Sequence, residues 1–276
     1  MDIEISLGRV QYETQGVGPL IFILHGGPGD ITFMRGLMEP VFERNSDWHR
    51  IYFDLPGNGK TEATHEVDSH DRVLDFVLEF IDSISEGQPY ALVGYSYGGY
   101  LARGVVYKRR DKVRGLCLIA PRVMQDRMMK TVPDHETLFV EPGFEEHLKD
   151  GEEWVEDYVV MQTRKGLKTF RQYGLPCLNQ YDEEFSEMIS LAGPGLSFDV
   201  DDLSHPFDQP ALIITGRQDS VTGYQDAWSL LEIYPRATYA VLDQAGHFVG
   251  LIEQADLFRS LVSDWLNRLA NVSLYA

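Results

Sequence analysis

A doubly wound α/β fold with a mostly parallel sheet is what this sequence predicts, on three observations. Short apolar runs closed by turn residues recur along the chain, helical patterns lie between them, and one long acidic stretch interrupts the alternation. The runs are "LIFILHGG" from Leu20, "RIYFDLPGNG" from Arg50, "YALVGYS" from Tyr90, "VRGLCLIAP" from Val113, "ALIITGRQD" from Ala211 and "TYAVLDQAGH" from Thr238. Near-continuous aliphatic and β-branched runs of this kind belong to strands covered on both faces, and hence to a parallel sheet. Helical patterns fall at about Asp71 to Ser85, Gly98 to Lys108, Gln225 to Ile233 and Ala255 to Leu269, which gives the alternation of a doubly wound core.

The alternation stops at Pro121 and resumes at Pro210. Within the gap, "EEWVEDYVVMQTR" sets Trp154, Val155, Tyr158, Val159 and Met161 on one helical face, and "EEFSEMISLA" does the same with Phe185, Met188, Ile189 and Ala192. A connection this long is a functional insertion rather than a loop. The predicted organisation is a core of residues 1–121 and 206–276 carrying a helical cap, 122–205, over one edge of the sheet.

Charge excludes several functions. With 24 Lys and Arg against 43 Asp and Glu, the chain carries −19, which opposes binding to nucleic-acid phosphates or anionic membrane surfaces. Between Arg122 and His205 stand 18 acidic and 8 basic residues, so more than half of the net charge sits in the predicted cap. No apolar run approaches the roughly 20 residues of a bilayer span, and "MDIEISLGRV" lacks the order of a signal peptide; the expected location is the cytoplasm. Cys117 and Cys177 suit two reduced thiols in or near the core, not a disulfide framework or a metal cluster.

The chemistry is carried by "ALVGYSYGGY". Gly94-Tyr95-Ser96-Tyr97-Gly98 matches G-x-S-x-G between a strand and a helix, the context in which a sharp turn exposes a nucleophilic serine. An alcohol is a poor nucleophile at neutral pH and needs a base, and the base needs an acid to fix its tautomer and stabilise the imidazolium. Asp219 follows the run "ALIIT" and His247 the run "TYAVL", so both lie on loops at carboxyl ends of strands, where a parallel sheet collects its functional loops. His25 precedes Ser96, and His49, His65, His70, His135, His147 and His205 lie in polar or insertion segments. Asp54 breaks the chain order, and Asp243 sits on the wrong side of the turn. "HGGPG" after Leu24 supplies the remaining part: Pro28 has no N–H, which leaves the Gly27 N–H as the oxyanion donor from this loop, paired with the N–H of Tyr97. Asp30 is placed to cap the helix "ITFMRGLMEPVF".

Taken together, "HGGPG", "DLPGNGKT", "GYSYGG", "GRQD" and "GH" resemble the α/β-hydrolase superfamily, in the lidded branch that includes proline iminopeptidases, esterases and C–C bond hydrolases. The resemblance covers about 20–120 and 210–269. It implies a cap inserted after the sixth strand, and the roles of nucleophile, base and acid at Ser96, His247 and Asp219, with oxyanion donors at Gly27 and Tyr97. It implies no cofactor and no metal. "DLPGNG" and Tyr97 depart from the D-Q-R-G segment and the Trp of iminopeptidases, and a serine at the elbow departs from the Asp of epoxide hydrolases and dehalogenases. The expected function is a serine hydrolase of a small ester, amide or activated ketone; an iminopeptidase-like aminopeptidase and a non-catalytic ligand receptor on the same fold are the alternatives.

Overall fold

The computed structural model describes residues 1–272 apart from 44, 46 and 153. Its main sheet contains β1 (Asp2–Ile5), β2 (Gly8–Gln15), β3 (Leu20–Leu24), β4 (His49–Phe53), β5 (Glu62–Ala63), β6 (Tyr90–Tyr95), β7 (Val113–Ile119), β10 (Ala211–Gly216) and β11 (Ala237–Leu242), while β8 (Phe139–Val140) and β9 (Met161–Gln162) form a separate parallel ladder. The order is β1-β2-β4-β3-β6-β7-β10-β11, with β5 pairing β2 off this path. Every pair from β4 across to β11 is parallel, whereas β2 runs antiparallel to β1, β4 and β5.

The parallel strands are the apolar runs, and their residues divide by parity between two layers, as a pleated strand covered on both faces must. Ile21 and Ile23 join a cluster with α1 (Ile31–Phe42) and α8 (Ala255–Val272), while Leu20, Phe22 and Leu24 join a second with α2 (His70–Ser85) and α3 (Tyr97–Arg109). Asp30 caps α1 by accepting from the Phe33 N–H at 2.8 Å, and Ser69 caps α2. Cys117 and Cys177 are buried free thiols.

After β3 the chain moves outward to β4, then returns across β3 to β6. Loops that leave neighbouring strands on either side of such a reversal open a crevice at their carboxyl ends. Leu24 stands opposite Gly94 in the register, which sets the "HGGPG" turn beside the Ser96 turn.

The insertion leaves after β7, sixth of the eight strands along the continuous path. It carries α4 (Val155–Tyr158), α5 (Arg164–Tyr173), α6 (Leu175–Leu178) and α7 (Glu183–Leu191), and α5 and α6 lie against α1. It is less helical than the sequence predicts. The amphipathic helix expected through Met161 ends at Tyr158, because Val159 turns to extended backbone and the Val160 and Met161 N–H groups bond the Glu253 carboxylate instead of an i−4 carbonyl. Val155 and Val159 are buried as the periodicity requires, but Tyr158 is exposed. In α7, Ile189 is buried and Phe185 packs on the core, while Met188 is exposed. The helix expected at Gln225 to Ile233 is a 3-10 segment, Asp226–Glu232. The β1–β2 hairpin was not anticipated, since its alternating Ile3, Ile5, Val10 and Tyr12 form no continuous apolar run. Among the described residues, no helix is long and apolar enough to cross a membrane.

Candidate active site

Ser96 occupies the turn between β6 and α3 with φ 51° and ψ −115°, a left-handed backbone that a side-chain-bearing residue adopts only when its surroundings enforce it. The enforcement comes from close packing. A Cβ on Gly94 would stand 2.5 Å from the Gly98 carbonyl oxygen, and one on Gly98 would stand 2.3 Å from the His25 carbonyl oxygen, so glycine is required on both sides of the turn. The Ser96 N–H donates to the Ile119 carbonyl at 2.9 Å, and the Ser96 carbonyl accepts from Gly99 and Arg122 at 3.0 Å each. The elbow is therefore tied to β7 and to Arg122, three residues beyond it.

Asp219 and His247 meet. The Asp219 carboxylate is fully buried, and its Oδ2 lies 3.0 Å from His247 Nδ1. Its Oδ1 accepts from the N–H groups of Val221 (2.8 Å) and Thr222 (2.9 Å), and the Thr222 hydroxyl donates to Oδ2 at 2.7 Å. Burial pushes the Asp219 pKa up, but the imidazole beside it and these hydrogen bonds outweigh burial and hold the carboxyl below its usual range. Donation from Nδ1 to this carboxylate leaves His247 Nε2 free to accept a proton. The Tyr95 hydroxyl donates to the His247 carbonyl at 2.8 Å, and the two rings stand 5.2 Å apart, so the residue before Ser96 touches the histidine directly.

The "HGGPG" turn completes the arrangement. A Cβ on Gly26 would meet Ser96 Cβ at 2.8 Å, whereas one on Gly27 would meet nothing within 4 Å; the turn thus lies against the elbow with Gly27 facing open space. Tyr97 opens α3, where the first N–H groups of a helix have no intrahelical acceptors. The Tyr97 side chain is anchored away from its amide, its hydroxyl 2.7 Å from His70 Nδ1.

The rivals weighed in the sequence are occupied elsewhere. His25 is fully buried, accepts the Leu55 N–H at Nε2 (2.8 Å) and lies 2.5 Å from the Gly26 carbonyl through Nδ1. Burial pushes its pKa down to about 4, which keeps it a neutral strut. Asp54 accepts from the Ile31 and Lys60 N–H groups at 2.9 and 3.0 Å, and Asp243 is exposed. Thr222 and Tyr95 escaped the sequence reading, and His70, set aside there as lying in a polar segment, is buried against the Tyr97 hydroxyl. Thr222 had only its spacing three residues past Asp219 to announce it, and a tyrosine within a buried strand looks like core.

A sequence profile described as the alpha/beta hydrolase fold matches residues 19–254. The chain belongs to the α/β-hydrolase fold family. It is 28% identical over 268 residues to the pimeloyl-[acyl-carrier protein] methyl ester esterase of Chromobacterium violaceum, covering 90% of this chain and 95% of the relative. It is 26% identical over 271 residues to the 2-hydroxy-6-oxononadienedioate/2-hydroxy-6-oxononatrienedioate hydrolase of Burkholderia vietnamiensis, covering 94% and 91%. An alpha/beta superfamily hydrolase from Oenococcus oeni PSU-1 superposes with a TM-score of 0.86 at 24% identity, over 97% of this chain and all of that one. This α/β-hydrolase is an enzyme on the strength of its family and its curated relatives. Among its described residues, no cluster of three or more His, Cys, Asp or Glu could hold a metal ion.

Proposed function

We propose that this α/β-hydrolase cleaves small, uncharged esters through an acyl-enzyme, with Ser96 as nucleophile, His247 as base and Asp219 as its acid. The observation that carries the reading is the 3.0 Å contact between the buried Asp219 carboxylate and His247 Nδ1, on the same rim as the elbow at Ser96. In the first half-reaction Ser96 Oγ attacks the acyl carbonyl and its proton passes to His247 Nε2. The oxyanion is stabilised by the N–H groups of Gly27 and Tyr97, preorganised by a turn and a helix start. Collapse breaks the bond to the alcohol oxygen, which leaves with the proton from His247. In the second, water takes the place of Ser96 Oγ as nucleophile and the same groups act in the same order.

The cap supports an uncharged substrate over a free amine. Of its described carboxylates only Glu152 is buried, and that one pairs with Arg171 at 2.5 Å; the half-buried Glu141 and Asp201 pair with Arg164 and Arg103, and the others are exposed. An ammonium group would need a desolvated carboxylate of its own to be recognised strongly. The named substrate of the Chromobacterium relative, a methyl ester, fits ester cleavage. The buried free thiols favour the reducing cytoplasm as its place of action.

Fluorophosphonate should add once, on the peptide that contains Ser96, and p-nitrophenyl butyrate should turn over steadily with activity abolished in Ser96→Ala. Labelling on another residue would overturn the nucleophile. A preference for L-prolyl arylamides over the ester, after correction for intrinsic reactivity and lost on acetylation of the amine, would overturn the substrate class.

A further inference from the structure

Glu253 is a buried ionisable group that the reaction above does not use. It lies in the loop between β11 and α8, 1% exposed, six residues after His247. Its carboxylate is divided between two parts of the molecule. Oε2 accepts the N–H of Gly246, the residue before His247, at 2.6 Å. Oε1 accepts the N–H groups of Val160 at 2.8 Å and Met161 at 3.2 Å, where the cap chain enters β9. The Val160 side chain already packs on Gly246 along this seam, since a Cβ on Gly246 would stand 2.9 Å from Val160 Cγ2. Glu253 also closes its own loop, its carbonyl accepting from the Gly250 N–H at 2.8 Å.

The residue type fits this task. A carboxylate offers two acceptor oxygens and no donor, so it can serve N–H groups on both sides of a seam, whereas glutamine offers one oxygen and would turn an amide N–H toward a donor. Burial opposes the charge and raises the Glu253 pKa against these three bonds. An apolar side chain of similar size would fill the space without that penalty. What it could not do is hold three amides in place.

Resting on the triad reading above, we propose that Glu253 is a positioning residue: it fixes the backbone at Gly246, and through it the ring of His247, to the cap at Val160 and Met161, so that base and cap are placed as one unit. Proton transfer from Ser96 tolerates little displacement of the imidazole, and a shift of about 1 Å in such a group can slow a reaction by about a hundredfold.

Two measurements test this. In the unsubstituted protein, hydrogen exchange at the Gly246, Val160 and Met161 amides should proceed with one shared opening rate, and Glu253→Gln should accelerate all three by about tenfold or more. In the same variant, fluorophosphonate labelling of Ser96 and kcat for p-nitrophenyl butyrate should both fall by about tenfold or more while KM changes less than about threefold. A Gly246 amide that opens independently of Val160 and Met161 in the unsubstituted protein would overturn the proposal even if the variant does not fold. So would labelling and kcat at the unsubstituted level in a folded Glu253→Gln. If the unsubstituted protein takes no label at Ser96, the nucleophile assignment falls instead, and the exchange experiment still judges Glu253.

Discussion

The sheet core and the cap solve different problems with different materials. In the core, strands covered on both faces fix the backbone by continuous ladders, and every residue of the candidate site (Gly27, Ser96, Tyr97, Asp219 and His247) sits within a few residues of a strand's carboxyl end. The cap is built from helices of 4 to 10 residues and a two-strand ladder, with Met128 90% exposed and Met129 62% exposed. Beyond the packing of Ile189, Leu196 and Val200 into the core, polar contacts tie it at discrete points. Gly59 donates to the Gln180 carbonyl at 3.1 Å and Asp182 to the Gly57 carbonyl at 2.9 Å; Asp201 pairs with the buried Arg103 of α3; and the carboxylate of Glu253 spans the seam beside β9. Geometry that must be accurate is entrusted to the part with the fewest alternatives. The cap, with its short elements and exposed side chains, contains none of these candidate residues.

The sharpest way to break this contrast is to disable the core without unfolding it. Asp219→Asn keeps the volume of the side chain but turns an amide toward His247 Nδ1, favouring the wrong tautomer, and kcat for p-nitrophenyl butyrate should fall by about 10⁴-fold. A thermal melt checks that the fold survives. A loss below about tenfold would remove Asp219 from the role of acid.

Acid should expose the core next. His25 and His70 are both buried, and burial, helped at His70 by the nearby Arg122 charge, pushes each pKa down to about 4, against about 6.5 in an unfolded chain. Between these values the unfolded state binds protons that the folded state refuses. Stability from these groups is therefore complete above about pH 6.5 and is lost as pH falls toward 4, up to about 3 kcal/mol for each histidine. The Tm of His70→Gln should fall less steeply than that of the unsubstituted protein over this range, and an unchanged slope would place the acid sensitivity elsewhere.

The smallest effect belongs to the charge of the cap. Glu183 and Glu184 are exposed in the first turn of α7, where each contributes under about 1 kcal/mol through the helix dipole. Changing both to glutamine should leave kcat/KM for the neutral ester within about twofold, since surface charges are screened. A tenfold change would show that the cap's acidity steers substrate and would blur the division between the two regions.

Much of the core was legible because its signals are local. A strand covered on both faces must be apolar throughout, so β3, β4, β6, β7 and β10 announce themselves by composition, and the elbow by the spacing of glycines around Ser96. The amphipathic β1 and β2 lacked that signal. In the cap, helical periodicity at Trp154 to Met161 was outvoted by a partner 92 residues away, the Glu253 carboxylate that takes the Met161 amide. No window of sequence around Val160 contains that competitor.

By itself the sequence determined the parallel sheet and the place of its interruption, and it singled out Ser96, Asp219 and His247 as candidates for acyl transfer, because each follows from residue type, local period and order along the chain. Only the tertiary structure decided that Asp219 and His247 lie 3.0 Å apart, that Thr222 and Tyr95 brace them, that His25 is a neutral strut, and that the cap turns its described carboxylates outward or pairs them. The physical reason is the same in each case. Hydrogen bonds and burial are made between groups distant in sequence, and their energies depend on separations of a few ångströms that no local pattern encodes.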